Sequence, residues 1–401
     1  MPYIPHPRNC WRRRPGHKPK THLKGFGQFS YLRYERWECS LPRPINSEDT
    51  KTIETLRDRV REHLLAFAWD EWAQMGLSGR RGASDTRAMD PEALLLFTIE
   101  IARLDPRLFD ETLDWLATNG ALLSLTRLSH LEARHPGDTN LVHAALAWAS
   151  KASSVLHWRV PLPAHPPMNV EVFDPDVLSF ISETDPTFSA FGFSRPPVRR
   201  SRKSEPPDYR LPINFAFQLR SLFGVGTRPE AVRILLTRDE RLLDAAFIAQ
   251  QASFTKRNVS AALLALVNAG VLKARWSGNE RLFTTYRAKW ARLLEHGETA
   301  DSLPRFAPWI PLLRTLTAIH VWLEHHYDTS WSSYMFGSQT RQLVDSVASD
   351  LADLASDLAD LGFSLDRMDL STEESDCTAF GGLVTALLTL TETKPRIRRT
   401  V

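Results

Sequence analysis

The chain has 401 residues, of which 43% are hydrophobic and 24% charged, with 50 Lys+Arg against 47 Asp+Glu and a formal net charge of +3. Its length accommodates two or three domains with cores of their own, and so small a net charge does not by itself mark a binder of nucleic acid or membrane. Cys10, Cys39 and Cys377 are too scattered for a disulfide framework or a CxxC metal site, and no leader-type apolar region or run of about 18 apolar residues occurs, so a cytoplasmic protein is expected.

In chain order, residues 1–48 form a basic arm rich in Arg, Lys, Pro and aromatics. Its Trp11, Arg12, Arg13, Arg14, His17, Lys18 and Lys20, with Phe26, Phe29, Tyr31, Tyr34 and Trp37, could hold phosphates and stack on bases, or could dock the arm on its own protein. A helical domain is expected over 49–160. Ile53, Leu56, Val60, Leu64, Leu65 and Phe67 recur at helical spacing after Ser47, and the helix stops before a Gly/Arg-rich loop at 76–88. Asp90 and Pro91 read as a cap and a first helical proline, opening a helix at 93–103. Further helices are expected at 106–118, ended by Asn119-Gly120, and at 139–156.

Residues 161–210 carry Pro161, Pro163, Pro166, Pro167, Pro196, Pro197, Pro206 and Pro207, which predicts an extended, basic linker with a short ordered piece near 172–193. Within its basic run, Arg199, Arg200 and Arg202 are candidate phosphate or minor-groove contacts, or else simply solvated charges.

Residues 211–295 have the strongest pattern. Thr227-Arg-Pro-Glu230 has the form of a capping box before a helix that buries Val232, Leu235 and Leu236. A second helix carries Leu243, Ala246, Phe247 and Ile248 and breaks near Ser253. Thr255 caps a third, whose Val259, Leu263, Leu266 and Val267 face inward. Two strands, 271–276 and 281–287, then flank a turn at Ser277-Gly278-Asn279.

In such an order the third helix would enter a major groove by its first residues, Thr255, Lys256, Arg257, Asn258 and Ser260. Arg can bond guanine and Asn adenine in bidentate fashion. On the strands, Lys273 and Arg275 share one face and Leu272, Ala274 and Trp276 the other, with Asn279 and Arg281 at the tip, an arrangement suited to phosphates. Beyond its first turn the third helix offers Ala261, Leu264, Ala265 and Asn268, a small apolar surface that could equally meet a protein. The stretch 108–123 (LFDETLDWLATNGALL) parallels 259–272 (VSAALLALVNAGVL), so a second, degenerate unit of this kind could lie in the first helical domain, although helix–Gly–strand junctions are common.

Residues 296–401 are expected to be a separately folded C-terminal helical domain, acidic over 345–376. Helices are predicted at 309–326, 340–361 and 380–390, the middle one with Leu351, Leu354, Leu358 and Leu361 on a stripe that could coil against a neighbour. No catalytic motif, metal site or cofactor fingerprint appears: GxGxxG, GxxxxGK[ST] and GxSxG are absent, and His320, His325 and His326 in HVWLEHH do not match HExxH. The acidic pairs Glu373-Glu374 and Asp350/Asp353 read as solvated faces.

The segment AAFIAQQASFTKRNVSAALLALVNAGVLKARW followed by SGNERLFTTYR resembles the winged helix-turn-helix of bacterial transcriptional regulators of the MarR/ArsR-like kind. The resemblance implies a mainly α protein in which a winged helix-turn-helix domain is flanked by helical domains. It implies a DNA-binding regulator with double-stranded DNA as partner and homodimerisation or partner binding through the C-terminal helices. The long flanks are also similar to larger winged-helix proteins that accompany toxins, which gives the alternative of an antitoxin-like subunit that clasps a protein.

Overall fold

The computed structural model describes residues 47–79, 86–164, 169–174, 183–240, 242–326, 333–365 and 373–392, all within the unit Pro42–Val401. The basic arm lies outside the described residues except for Ser47 and Glu48, which start the first helix. The fold is mainly helical, as expected. Its first half contains α1 (Ser47–Gln74), α2 (Pro91–Ile101), α3 (Pro106–Asn119), α4 (Leu125–Glu132), α5 (Thr139–Ala152), β1 (Val170–Glu171), α6 (Pro186–Ala190) and β2 (Phe193–Ser194). The middle holds α7 (Phe215–Phe223), α8 (Thr227–Thr237), β3 (Leu243–Asp244), α9 (Ala245–Ala252), α10 (Lys256–Asn268), β4 (Lys273–Ser277), β5 (Glu280–Thr284) and α11 (Arg287–Leu293). It closes with α12 (Trp309–His326), α13 (Ser333–Ser346), α14 (Ala348–Asp360) and α15 (Glu373–Thr391).

Local signals account for several of these ends. Asp90 accepts the Ala93 amide at 3.1 Å with Pro91 in the first turn, and Asp105 does the same for α3 through the amides of Arg107 and Leu108. After α3 the chain makes a short 3₁₀ turn and enters α4, so the stretch resembling 259–272 leads into another helix. Among the described residues no second hairpin follows it.

Two apolar cores organise the rest. The first joins α1–α5 with α12–α15, packing Trp72, Phe97, Phe109 and Trp115 together with Trp309, Leu316, Leu354 and Leu387. The C-terminal helices are therefore not a domain of their own. The reason lies in α12, whose apolar and small residues surround it on nearly every side; such a helix is stable only when covered all round. It packs on α1 and α2 on one side and on α14 and α15 on the other. The helix expected at 340–361 is broken at Val347, and Leu351, Leu354 and Leu358 are buried inside this core rather than held out for a second chain.

The described part of the proline-rich segment is likewise no free linker. Val172, Phe173, Phe188, Phe191 and Phe193 enter the first core, and β1 and β2 pair in parallel. Prolines do keep the backbone extended, but the phenylalanines and Arg195 pin it down. The Arg195 guanidinium lies 5.1–5.4 Å from the rings of Phe109, Phe173 and Phe188 and donates to Asp110 at 2.6 Å.

The second core belongs to α7–α11. Phe215, Leu219, Val232, Ile248, Val259, Leu263, Leu272, Phe283 and Trp290 fill it. Its sheet is antiparallel in the order β3-β5-β4, with Leu243 opposite Phe283 and Lys273 opposite Thr284. Leu243, expected in a helix, is thus in a strand that covers the inner edge of the hairpin. Among the described residues no helix is long and apolar enough to cross a membrane.

Candidate nucleic-acid interface

The first turn of α10 is built by its neighbours. Ser253 takes a left-handed conformation (φ 54°), which turns the chain after α9. Thr255 then accepts the Asn258 amide at 3.3 Å, as its sequence position suggests. Val259, Ala262, Leu263 and Leu266 are buried, which leaves Thr255, Lys256, Arg257, Asn258, Ala261, Leu264, Ala265 and Asn268 exposed and Ser260 half-buried. Gly278 (φ 58°) closes the β4–β5 hairpin.

Three hollows meet around that turn. Lys256, Ser260, Asn279 and Arg281 line one groove of about 310 Å³ between α10 and the hairpin, with Leu264, Trp276 and Phe283 and the carboxylates of Asp244 and Glu280. Asn258 lines a second, of about 360 Å³, shared with Phe223, Arg228 and Ala261 on the other flank of α10. Thr255 belongs to a third, of about 350 Å³, between the α9–α10 turn, His130 and Arg134 of the helical body, and Trp309 and Arg314 of α12. Lys273 and Arg275 stand exposed on β4, outside these hollows. Lys273 donates to the Tyr286 hydroxyl and lies 4.4 Å from its ring, with Lys289 at 5.0 Å; the Lys273 hydrogen bond pulls the phenol below its ordinary pKa.

β4 is the edge strand, and on the face that Leu272, Ala274 and Trp276 share only Leu272 is buried, at its root. Two expectations are corrected. Arg200 is not free for phosphate. It donates to Asp114 at 2.9 Å, to the Ala152 carbonyl and to Thr118, because α3 presents Asp110, Glu111 and Asp114 to the strap that crosses it. Arg199 and Arg202 are exposed on that same strap. Glu230 forms no capping box; Gly226 precedes α8 without a side-chain cap.

Glu230 belongs instead to a six-residue ionic cluster between the two cores, whose side chains are at most 3% exposed. Arg220 of α7 donates to Glu230 and to both oxygens of Glu92 at 2.7–3.0 Å. Arg233 of α8 reaches Glu230 at 2.9 Å and Asp90 at 3.2 Å. Arg127 of α4 bonds Asp90 and Glu92, and its Nε donates to the Ala252 carbonyl at 2.9 Å. Three cations and three carboxylates balance. Burial opposes the ionisation of Glu230, but Arg220, Arg233 and Arg127 overcome it and hold the carboxyl well below its ordinary range. Burial likewise opposes charge on Asp90, and Arg127 and Arg233 again prevail.

Charge elsewhere in this region is one-sided. Residues 211–295 hold 13 Lys+Arg against six Asp+Glu, an excess of +7 where the whole chain carries +3. Since the buried cluster takes up only part of it, most of the surplus is at the surface. Among the described residues no His/Cys/Asp/Glu group has the geometry to hold a metal ion. Sequence reading missed Trp276 as a surface residue, Arg228 beside α10, and the ionic cluster. Only the alternation along 273–276 hinted at the first. No family model matches the chain, nor does any curated protein or solved structure.

Proposed function

We propose that residues 211–295 are a winged helix-turn-helix that binds double-stranded DNA, with α10 as recognition helix, β4–β5 as wing, and a regulatory role in transcription like that of the MarR/ArsR-like proteins its sequence resembles. The order α8, β3, α9, α10, β4, β5 and the antiparallel sheet support this reading. The observation that carries it is the convergence of Lys256, Ser260, Asn279 and Arg281 on one groove, within a module of charge +7. Arg257 and Asn258 on the exposed first turn are the base readers, since both can make paired hydrogen bonds to purine edges. Lys273 and Arg275 on the outer strand hold the phosphate backbone.

Binding of this kind releases counterions, so affinity for any duplex falls steeply between about 50 and 200 mM salt. Fluorescence anisotropy with a random duplex tests it: salt-dependent binding is expected, and no binding at the lowest salt refutes the proposal.

A second reading has its own observation. Leu222, Val225, Leu264 and Trp276 are exposed in the same module. Such a surface suits a protein partner, as in an antitoxin-like subunit. A partner that co-purifies in fixed ratio and is released by Leu264→Glu would favour it; a lone monodisperse protein that shifts DNA would not.

A further inference from the structure

Trp276 is 64% exposed, the most exposed aromatic among the described residues. It stands on the edge strand β4, directly opposite Arg281 on β5, whose guanidinium lies 4.6 Å from the indole ring. A large apolar ring held in water by a hairpin forgoes the benefit of burial, which is considerable for tryptophan. The groove it overlooks has an unusual lining for a phosphate track. Leu264, Ala245 and Phe283 give an apolar part, Lys256, Ser260 and Asn279 give donors, and Asp244 and Glu280 contribute carboxylates. Asp244 holds its charge in place by capping α9, where it accepts the amides of Ala246 and Phe247. A phosphate entering this groove would meet Lys256 and Arg281 but also two carboxylates, a lining with no net positive charge. A neutral base would meet an aromatic face, apolar contacts and both donors and acceptors for its edge. At about 310 Å³ the groove lies within the range of small-ligand sites, about 300–1,000 Å³.

We propose that the groove between α10 and the hairpin receives an unpaired nucleobase stacked on Trp276, so that the preferred partner is DNA in which a duplex adjoins an unpaired strand. This rests on the reading of residues 211–295 as a DNA-binding module and names the form of DNA it takes. A base inside a duplex is stacked on both sides and cannot lie on an indole ring; one at a fork can, and stacking tolerates any base because each has a π face.

The test uses the full-length chain, a blunt duplex, and the same duplex ending in two unpaired arms with 2-aminopurine at the junction. The fork should bind about tenfold more tightly than the blunt duplex at equal salt, a ratio typical of one base–aromatic stack. Trp276→Ala should lower fork affinity about tenfold more than blunt affinity and abolish the change in 2-aminopurine emission, while Trp276→Phe keeps most of both. Thermal melts confirm that the variants fold. Equal affinity for fork and blunt duplex, or a fork preference that survives in Trp276→Ala, overturns this inference and leaves duplex binding standing. Absence of binding to either DNA at the lowest salt removes both.

Discussion

The two faces of the 211–295 module use arginine in opposite ways. Toward the helical body, Arg220 and Arg233 are dehydrated and matched by carboxylates, and Arg127 joins them from across the boundary. On the α10 and hairpin face, Lys256, Arg257, Lys273 and Arg275 are exposed. What separates the two is whether the fold buries the cations against carboxylates. Glu92 reaches Arg220 and Asp90 reaches Arg233 from more than 120 positions away in sequence, whereas the carboxylates near the second face, Asp244 and Glu280, come from within the module and line an open groove. A balanced, desolvated cluster has no net charge left for a partner, and its bonds join residues from both sides of the boundary. An unbalanced, hydrated one retains its field.

This contrast can be broken most forcefully at the joint. Arg220→Met leaves Glu92 and Glu230 buried without their shared cation, and should cost about 3–5 kcal/mol of stability. Chemical denaturation measures it, and a loss below about 1 kcal/mol would mean that the cluster is hydrated in solution. On the other face, Arg257→Ala and Asn258→Ala should each cost about 1–3 kcal/mol at a selected DNA sequence and little on random duplex. Lys273→Ala and Arg275→Ala should instead weaken all duplexes alike, each reducing the salt slope by about one unit. Competition binding at two salt concentrations separates the pairs, and equal losses from both would erase the division between reading and holding. None of the four should alter stability by more than about 0.5 kcal/mol.

Acid provides a third comparison. Burial pushes His135 down to about 4, so between pH 6.5 and 4 the unfolded chain takes up a proton that the folded one refuses. The stability from the neutral imidazole is complete above pH 6.5 and is lost as pH falls toward 4, by at most about 1.4 kcal/mol per pH unit. The helical body should therefore weaken in this window before Asp90 and Glu230 protonate, since their folded pKa values lie below the usual carboxylate range. Melting curves at pH 7, 6, 5 and 4 should flatten in His135→Asn; an unchanged slope would place the acid sensitivity elsewhere. The smallest effect is expected at the strap. Arg200→Gln loses a charged bond to Asp114, which keeps its hydrogen bonds from Ser201 and Ser204. A stability loss of about 1 kcal/mol with no change in the salt slope of DNA binding would confirm that this arginine serves the fold.

Local signals carried over well and distant ones did not. The helix read at 309–326 matches α12 end for end, and the caps at Asp90 and Thr255 work through amides three residues away, within one turn of chain. Four of the nominated contacts, Lys256, Ser260, Asn279 and Arg281, fall on one groove because α10 and the hairpin are adjacent in sequence. Glu230 was misread because a local pattern competed with Arg233, one turn along the same helix, and with Arg220, ten residues off, which packing brings near. The proline-rich strap was misread because its composition reports backbone stiffness and says nothing of the pocket of rings awaiting Arg195. The strand at Leu243–Asp244 is too short for any periodicity to show.

The Arg127 bond to the Ala252 carbonyl has a mechanical meaning. One turn later on α4, His130 Nδ1 lies 3.0 Å from the Ser253 carbonyl; a carbonyl only accepts, so that nitrogen carries the proton. The last carbonyls of α9 are thus moored to the helical body, and α10 begins at Lys256, three residues beyond Ser253. Two side chains one turn apart on α4 thus hold the α9–α10 turn by its carbonyls, within three residues of the exposed first turn that presents Lys256, Arg257 and Asn258.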